Sequence, residues 1–383
     1  MRTLFIEYTY LNGNGGGIYA ARSHINLFSS LSSSMTLLYP LNKNSEIEGI
    51  DINKIDDLRP IPDNRNLIKK IFDWLRGYPT RFFSMGDEIF DKAKYDVVVF
   101  DNSLVSANLI KKAKRKGIKV ITIHHNYQVE YVKADGNPLT RWRDVFWNKK
   151  HEGEAVRLSD LNIVLTPQDA KLLAEHYKLD ALFGCLGVCE YERQLEKDIP
   201  SYPRMHRYLI TGGLSSRQNE VSIIRWLRRF YPLLLQSDPE AILTIAGRNP
   251  SKKLASFIKS KNVNLIESPR DMWPILQNSD YYICPVDCGG GLKLKIMDGL
   301  KAGMPIITHS VSARGYEPMK NAGVLFDYSD EKTFMEAVSK AIKCQKKQSD
   351  IYEDYCSVFS FRQGEKRLKS ILSTYGFIRE TKI

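Results

Sequence analysis

The segment Pro285-Val-Asp-Cys-Gly-Gly-Gly-Leu-Lys-Leu-Lys-Ile-Met-Asp-Gly-Leu-Lys-Ala-Gly-Met-Pro305 carries the strongest pattern in the chain. An apolar run ends in three glycines, and a helical stretch then opens with two lysines and carries Asp298 in its second turn. Glycines let a ligand approach the backbone, and a helix start beside ammonium groups favours phosphate. The segment therefore predicts a strand, a loop and a helix that together bind a diphosphate.

The charged residues of this helix admit two explanations. Lys295 and Asp298 are three residues apart, so they share a face and could form a surface ion pair of little energetic value. Alternatively, both contact the ligand. Lys293 and Lys295 are two residues apart and cannot point the same way from a regular helix, so we expect one of them at the helix entry.

On either side of this segment, short apolar runs alternate with amphipathic stretches, which is typical of α/β units with parallel sheets. The first half contains the predicted strands Thr3–Thr9, Met35–Tyr39, Asp96–Phe100, Lys119–Ile123 and Asn162–Leu165, and predicted helices such as 102–116 and 141–158. The second half contains the predicted strands Tyr208–Thr211, Ala241–Ala246, Val263–Ile266, Tyr281–Cys284, Pro305–Thr308 and Gly323–Phe326.

The length of 383 residues fits two domains, with the proline-containing stretch Glu190–Met205 as a linker. We predict a first domain over 1–195, a second over 196–360, and a C-terminal helix in 361–383 that packs back on the first domain. In open parallel sheets, ligands bind at the carboxyl ends of the strands. Two such domains in series can face each other across a cleft.

A glycine-rich loop, Asn12-Gly-Asn-Gly-Gly-Gly17, follows the first strand and precedes a predicted helix over 18–31. Gly15, Gly16 and Gly17 could line a phosphate or sugar site, or they could form only a tight turn. Gly15, Gly17 and Ala20 also fit the dinucleotide pattern G-x-G-x-x-A. A nicotinamide site is disfavoured, because no acid follows the second strand, which ends Leu37-Leu-Tyr-Pro40.

A second polar cluster, His124-His-Asn-Tyr-Gln-Val-Glu130, follows the predicted strand over 119–123. Histidines at the mouth of a sheet could bind a sugar or move a proton, or they could be polar loop residues with no ligand. His124 directly continues the strand, so it is the better candidate for a structural role, and His125 for a catalytic one.

The segment that ends at Pro305 resembles glycosyltransferases of family 4, which have the GT-B fold and a pattern like G-G-x-R-x-K-I-L-E-A-x-A-x-G-x-P. Lys293 takes the arginine position, Lys295 the lysine and Asp298 the glutamate. The resemblance implies that the two lysines hold the donor diphosphate, that Asp298 hydrogen-bonds the ribose, and that Gly290 and Gly291 line the donor site.

Weaker similarities extend over both halves of the chain. His125-Asn126 with Glu130-Tyr131 resembles the family's H-N-V-E-x-x-Y segment, which implies a catalytic role for His125 and an acceptor-side role for Asn126 and Glu130. The resemblance also implies that the donor contacts Gly213, Arg217, Gly247 and Arg248.

The chain departs from the family pattern at three points. Gly290 stands where the first of two paired glutamates is expected, so the acid that contacts the donor sugar in many family members is missing. Asp298 is shorter than the glutamate it replaces. The arginine that often follows the first donor-domain glycine is absent, and Arg217 is our candidate substitute.

Composition limits the partners. The net charge of +12 favours phosphate-bearing substrates or an anionic membrane surface, and no nucleic-acid-binding motif is present. The six cysteines lack histidines at zinc-ligand spacing, which indicates reduced thiols and no structural metal. No apolar run reaches the roughly 18 residues of a membrane span, and the start of the chain does not resemble a signal peptide. We therefore predict a cytoplasmic protein.

A basic amphipathic segment over 66–76 suggests membrane contact. Five apolar residues share one helical stripe, namely Leu67, Ile68, Ile71, Phe72 and Leu75. Basic residues flank the stripe, and aromatic residues lie near it in sequence: Lys69, Lys70, Arg76, Trp74, Tyr78, Phe82 and Phe83; residues 111–116 add a basic cluster. The helix could simply pack on its own sheet, or it could lie on the inner face of the cell membrane.

These features predict a retaining, metal-independent glycosyltransferase that moves a sugar from a nucleotide-sugar donor to a saccharide or lipid-linked acceptor in bacterial surface polysaccharide assembly. Retention is implied by the resemblance alone, and no D-x-D metal motif or cofactor is expected. Two alternatives stay open: a nucleotide-sugar epimerase of GT-B shape, and a non-catalytic protein that binds nucleotide or sugar. The sequence does not specify base, sugar, acceptor or oligomeric state.

Overall fold

The computed structural model describes residues 1–13, 15–41, 47–78, 82, 85–90, 94–178, 180–190 and 204–378. The chain forms two compact units. The first comprises Met1–Glu190, Gly290–Leu292 and Phe361–Ile383, and the second comprises Tyr191–Gly289 and Lys293–Ser360. The predicted domain boundary at 195 and most of the predicted linker lie outside the described residues.

The first unit contains a seven-stranded parallel sheet in the order β3-β2-β1-β4-β5-β6-β7. Its strands are β1 (Arg2–Glu7), β2 (Ser34–Pro40), β3 (Asp57–Ile61), β4 (Val97–Asp101), β5 (Lys119–His124), β6 (Leu161–Val164) and β7 (Phe183–Cys185). The helices of this unit are α1 (Gly16–Leu31), α2 (Leu67–Leu75), α3 (Ala107–Arg115), α4 (Gln128–Asp135), α5 (Arg141–Leu158), α6 (Pro167–His176) and α15 (Phe361–Thr374).

The second unit contains a six-stranded parallel sheet in the order β10-β9-β8-β11-β12-β13. Its strands are β8 (Arg207–Gly213), β9 (Ile242–Arg248), β10 (Asn264–Glu267), β11 (Tyr281–Cys284), β12 (Ile306–His309) and β13 (Leu325–Tyr328). Its helices are α7 (Arg217–Arg229), α8 (Tyr231–Ser237), α9 (Lys252–Ser260), α10 (Trp273–Gln277), α11 (Lys295–Lys301), α12 (Glu317–Asn321), α13 (Glu331–Ile342) and α14 (Gln348–Phe359).

Both strand orders are those of Rossmann-like domains, so the predicted α/β class is confirmed. The central strands are apolar on both faces because helices cover both sides of the sheet. In β4, for example, Val97–Phe100 are all buried. The order of each sheet reverses at its first strand: between β1 and β4 in the first unit, and between β8 and β11 in the second. Ligands of such sheets bind at this switch point.

Two edge strands, β3 and β7, were not predicted. β7 is only three residues long, and β3 contains Pro60, which weakens a strand pattern because proline donates no ladder hydrogen bond. The predicted helix over 102–116 is shorter than expected, since α3 begins at Ala107. Helix α5 has the predicted bounds.

Helix α2 presents its apolar stripe to solvent, so the expectation that this stripe packs on the sheet is wrong. The exposed fractions of its apolar residues range from 46% for Trp74 to 73% for Leu67. Asp73 is the buried residue of this helix, and it accepts a hydrogen bond from Arg65 at 3.1 Å. Phe82, which was expected to add to an aromatic surface nearby, is buried. Phe83 lies outside the described residues.

Helix α15 belongs to the first unit although it follows the second in sequence. Its Leu368 and Leu372 are fully buried in the core that also contains Leu27 of α1. Gly364 lies against Cys189, and a Cβ at this position would come within 2.7 Å of the Cys189 Sγ. None of the described helices is long and apolar enough to cross a membrane.

A buried carboxyl group, Glu152 on α5, connects three elements of the first unit. It accepts hydrogen bonds from the backbone N–H of Gln128 at 3.0 Å and from the Tyr177 hydroxyl at 2.9 Å. Burial raises the pKa of Glu152 to about 8, although both hydrogen bonds act to lower it. The carboxyl group is therefore protonated in the folded protein at pH values where it ionises in the unfolded chain.

We expect the free energy of unfolding to depend less steeply on pH in Glu152→Gln than in wild type. A raised acid pKa contributes stability below the unfolded pKa, and this contribution is lost as the pH rises through about 8. The free energy of unfolding should fall by up to about 1.4 kcal/mol per pH unit more in wild type than in the variant. Urea unfolding between pH 5 and about 8 measures this. Glu175→Gln, an exposed change on α6, is the control, and equal slopes in all three proteins would contradict the assignment.

Candidate active site

Two carboxyl groups meet at the switch point of the first sheet. Glu7 ends β1 and Asp101 ends β4, and the two residues are directly paired in the parallel register. Both side chains are fully buried. The Glu7 carboxyl group accepts a hydrogen bond from the Thr9 backbone N–H at 2.5 Å. Buried carboxyl groups are costly unless they are paired or protonated, so this pair indicates a specialised site.

Two imidazole rings contact the same Asp101 oxygen. The Nε2 atom of His125 lies 2.6 Å from Asp101 Oδ1, and the Nδ1 atom of His24 lies 3.1 Å from it. The other His24 nitrogen lies 3.3 Å from the Gly187 carbonyl oxygen. The two rings approach edge to face, with centroids 5.4 Å apart. This contact to Asp101 fixes the ring of His125 and leaves its Nδ1 as the second functional nitrogen.

The two acids of this cluster have pKa values shifted in opposite directions. Burial, reinforced by repulsion from Asp101, raises the pKa of Glu7 well above its usual range. Burial also acts to raise the pKa of Asp101, but attraction to His125 and His24 outweighs it and holds that pKa far below its usual value. Glu7 is therefore the protonated acid and Asp101 the carboxylate. Burial acts to lower the pKa of His125, and the charge of Asp101 reverses this, so the net shift is upward.

The other residues predicted after β5 have different surroundings. His124 is buried, its Nε2 lies 2.8 Å from Asn162 Oδ1, and burial lowers its pKa to about 4. A neutral, enclosed imidazole of this kind fits the structural role expected for His124. Asn126 follows His125 directly, and Glu130 lies in the first turn of α4. The structure does not test the predicted acceptor-side roles of Asn126 and Glu130.

Three members of the cluster were not predicted from the sequence, namely Glu7, His24 and Asp101. A signal existed for the two acids, because each is the polar residue that ends an apolar parallel strand. His24 lies in the middle of α1, within a buried stretch that includes Ile25. Its position depends on how α1 crosses the sheet, which the local sequence does not specify.

The same cluster has the chemistry of a metal site. Within the described part of the chain, His24, Asp101 and His125 form a group of imidazole and carboxylate ligands whose atoms all lie within 4.8 Å of one another. Two imidazoles and a carboxylate suit a divalent transition metal. The close contacts are also those of hydrogen bonds that orient His125 without an ion. The expectation that no metal takes part therefore stays a prediction.

Glycine backbone borders the switch point of the second sheet. Gly212 and Gly247 are paired in the register of β8 and β9, as are Gly213 and Arg248. A Cβ at Gly247 would lie 2.0 Å from the Gly212 carbonyl oxygen, so no side chain fits there. This end of the sheet therefore presents bare backbone to a ligand.

Lys295 supplies a positive charge at the switch point of the second sheet. It is the first residue of α11, and its Nζ donates to the Asn219 Oδ1 at 2.5 Å. A Cβ at Gly212 would lie 3.2 Å from the same Nζ. Burial lowers the pKa of Lys295. Among the described residues, no carboxylate lies within ion-pair distance of this ammonium group, which leaves its charge available to an anion.

The expected ion pair between Lys295 and Asp298 is not formed. Asp298 instead forms an ion pair with Lys301, which lies three residues further along α11; the Lys301 Nζ is 3.2 Å from Asp298 Oδ1. Lys293 precedes α11 and is the lysine at the helix entry, where its carbonyl oxygen accepts the Tyr316 hydroxyl at 3.0 Å. The loop before it contains Gly291, whose positive φ of 73° suits glycine.

The remaining predicted donor residues lie at the ends of strands or the starts of helices. Arg248 ends β9 and is exposed, and Arg217 is the exposed first residue of α7. In the first unit, Gly15 is the N-cap of α1, and Gly16 and Gly17 form its first turn. The loop is thus a strand-to-helix turn as predicted, and its contact with a ligand is not tested by the structure.

Comparison with known proteins places this geometry in a class. Residues 206–344 match the model of the family described as glycosyl transferases group 1. An uncharacterized 44.6 kDa protein in the cps region of Klebsiella pneumoniae is 28% identical over 310 residues, which cover 73% of each chain.

Two solved structures illustrate the similarity in fold. The lipopolysaccharide outer core galactosyltransferase WaaB aligns with a TM-score of 0.64 at 12% identity, over 98% of this chain and 99% of its own. HepE of Anabaena, solved in complex with UDP, aligns with a TM-score of 0.66 at 10% identity, over 98% and 100%. The fold is therefore that of the GT-B glycosyltransferases, as predicted, and the matched segment of the second unit is similar to glycosyl transferases group 1.

We expect Asp101→Asn to lower the pKa of His125. Asp101 supplies the charge that offsets burial, so in the variant burial dominates and the neutral imidazole persists to lower pH. NMR titration of the histidine Cε1–H signals measures this directly and does not depend on activity. His124, with its pKa of about 4, is an internal reference that should stay neutral in both proteins. A His125 titration curve that does not move would show that Asp101 does not set its charge.

Proposed function

We propose that this glycosyltransferase transfers a sugar from a nucleotide-sugar donor to a saccharide carried on a lipid, in the assembly of a bacterial surface polysaccharide, with retention of configuration and without a metal ion. The observation that carries the proposal is Lys295, a partly buried ammonium group that donates to a neutral amide, at the switch point of the second sheet. A site of this kind attracts a diphosphate and stabilises the charge that develops as it leaves.

The surroundings of Lys295 support a nucleotide diphosphate in particular. Gly213 leaves the end of β8 open to close approach, Gly212 makes room for the Lys295 ammonium group, and Asn219 orients that group. Lys293 would add a second positive charge, Asp298 would accept hydrogen bonds from ribose hydroxyls, and the other donor contacts would come from Gly15, Gly16, Gly17, Arg217, Arg248, Gly290 and Gly291. HepE is similar in fold and was solved with UDP, which supports a uridine nucleotide as the first donor to test.

In the first unit, His125 is the side chain placed to act on the sugar. Asp101 holds its Nε2, so Nδ1 is free to contact a donor or acceptor hydroxyl. Asn126 and Glu130 would contact the acceptor. The printed descriptions of two similar proteins, one in a cps region and one acting on lipopolysaccharide, support a surface polysaccharide as the product.

The test is a panel of nucleotide sugars with lipid-linked saccharide acceptors, with products followed by mass spectrometry. Lys295→Ala should cost roughly 2–4 kcal/mol in kcat/KM, as does loss of one charge-stabilising donor in other enzymes, and Lys293→Ala should behave alike. Lys340→Ala, an exposed lysine on α13, is the matched control. Activity should survive a chelator, and loss of activity with EDTA would instead assign a metal to the His24, Asp101 and His125 cluster.

Other outcomes identify the alternatives. A free epimerised nucleotide sugar, formed without acceptor, would identify an epimerase. UDP binding in a thermal-shift assay with no product from any donor would identify a non-catalytic binding protein.

We also propose that the exposed stripe of α2 lies on an anionic membrane. An exposed apolar face of six residues is a binding surface in most proteins, and here Lys69, Lys70 and Arg76 flank it. Trp142 and Phe146 on α5 are also exposed. Arg143, which lies between them in sequence, stacks on Trp74 of α2 with its Cζ atom 3.9 Å from the ring centroid, so the two residues extend the exposed apolar surface of α2. Basic residues beside an apolar stripe match the charge of acidic lipid headgroups, at about 1 kcal/mol for each nearby Lys or Arg.

We expect the protein to sediment with vesicles that contain phosphatidylglycerol, and salt should weaken this binding. Replacing both Ile68 and Phe72 with Asn should reduce the bound fraction by about tenfold or more, since two apolar side chains no longer enter the lipid. Lys69→Glu should weaken it further. Met335→Gln, an equivalent exposed position on α13, should have no effect. Binding that is absent at low salt, or unaffected in the double variant, would contradict a membrane-bound α2.

A further inference from the structure

A cavity of ≈ 390 Å³ lies inside the first unit, between α2 and α5. Its volume is within the range of about 300–1,000 Å³ that small-molecule sites occupy. Three aromatic residues line it, namely Trp74, Tyr78 and Trp147, together with polar side chains that include Arg65, Arg143 and Asn148. None of these residues has a place in the donor site described above.

The aromatic wall is held rigidly. The Trp147 ring stacks on His151 with centroids 5.6 Å apart and an interplanar angle of 11°. His151 in turn hydrogen-bonds the Gly77 carbonyl oxygen at 2.9 Å. A Cβ at Gly77 would lie 2.1 Å from the Trp147 ring, and Gly77 has a positive φ of 72°, so only glycine fits. The indole is thus fixed in one orientation, as a stacking surface requires.

Each of the three cations that line the cavity is paired with a carboxylate. Arg65 donates to Asp63 at 2.8 Å and to Asp73 at 3.1 Å, and Arg143 donates to Asp144 at 2.6 Å. Lys70 lies 3.5 Å from Asp63. Burial lowers the pKa of His151, which makes it a neutral imidazole. A free phosphate would meet these carboxylates as well as the cations, so the cavity suits a neutral ligand that both donates and accepts hydrogen bonds.

A pyranose ring has this chemistry. Its C–H groups form an apolar face that stacks on an indole. Each of its hydroxyl groups can donate a hydrogen bond to a carboxylate and accept one from a guanidinium group, so it can contact a paired Asp and Arg. The position of the cavity also fits. Trp74 and Lys70 belong to α2, next to the exposed stripe, and Leu104 lies in the loop after β4, three residues beyond Asp101.

We propose that this cavity binds a sugar residue of the acceptor, behind the residue that is glycosylated. The inference rests on the proposed transferase function and adds to it a second saccharide site in the first unit. A lipid carrier would lie along α2, its sugars would pass through the cavity, and the terminal sugar would reach the carboxyl ends of β4 and β5. The enzyme would thereby recognise a second sugar of the acceptor in addition to the sugar that reacts.

The probe is a panel of methyl glycosides, namely of glucose, galactose, mannose and N-acetylglucosamine, observed by saturation-transfer NMR in the presence of UDP. Wild type should transfer saturation to the ring protons of at least one glycoside. Trp147→Leu should raise the Kd of that glycoside by about tenfold, because the stacking surface is lost. Lys149→Ala is the control: it lies on the same helix, is exposed and does not line the cavity. Arg143→Gln is a second test variant if Trp147→Leu does not fold.

The outcomes separate this inference from the proposed function. Lys295→Ala should bind the glycoside as wild type does, since the donor site is distinct, and Trp147→Leu should keep the thermal shift with UDP. A glycoside that binds wild type and Trp147→Leu equally, or no saturation transfer from any glycoside, would overturn the cavity assignment even if transfer activity is found. Glycoside binding that needs Trp147 in a protein without transfer activity would keep the cavity and refute the proposed function.

Discussion

Within each sheet the described strands all run parallel to one another, and this constraint positions the chemistry of the molecule. Parallel strands joined by crossover helices end at one edge, so polar residues distant in sequence meet there. Where the strand order reverses, neighbouring connections leave on opposite faces and the edge stays open. The first unit fills this point with buried acids and imidazoles, and the second with glycine backbone and one ammonium group. One architectural rule thus produces two sites of opposite character.

The two sites handle buried charge in different ways. Asp101 is ionised because two imidazoles approach it, and its neighbour Glu7 avoids a second negative charge by keeping its proton. The result is a compact, internally neutralised group that holds His125 in place. Lys295 has no carboxylate within ion-pair distance among the described residues, and a neutral amide orients it. A partly buried cation of this kind is stabilised by an anion, so the site is expected to bind an anionic ligand.

Much of this arrangement could be predicted from the sequence, because it depends on local pattern. The Gly290–Pro305 segment indicated Lys295, and strand periodicity indicated most of the parallel strands. The parts that could not be predicted depend on tertiary contacts. His24 reaches Asp101 only through the crossing of α1 over the sheet, and the 3.6-residue period of α2 shows a stripe without showing which way it faces. Asp298 was expected beside Lys295, yet Lys301 competes for it from the next turn.

The position of α15 has a consequence for the order in which the protein folds. Leu368 and Leu372 complete a core built mainly from the first 190 residues, so the second unit is inserted between two parts of the first. During synthesis on the ribosome, the strands of the first sheet emerge before the second unit. The surface around Leu27 stays uncovered until α15 has been synthesised after the whole second unit. The second unit, whose chain is nearly continuous, can reach its final packing sooner. Vectorial synthesis therefore favours completion of the second unit before the first, against their order in the sequence.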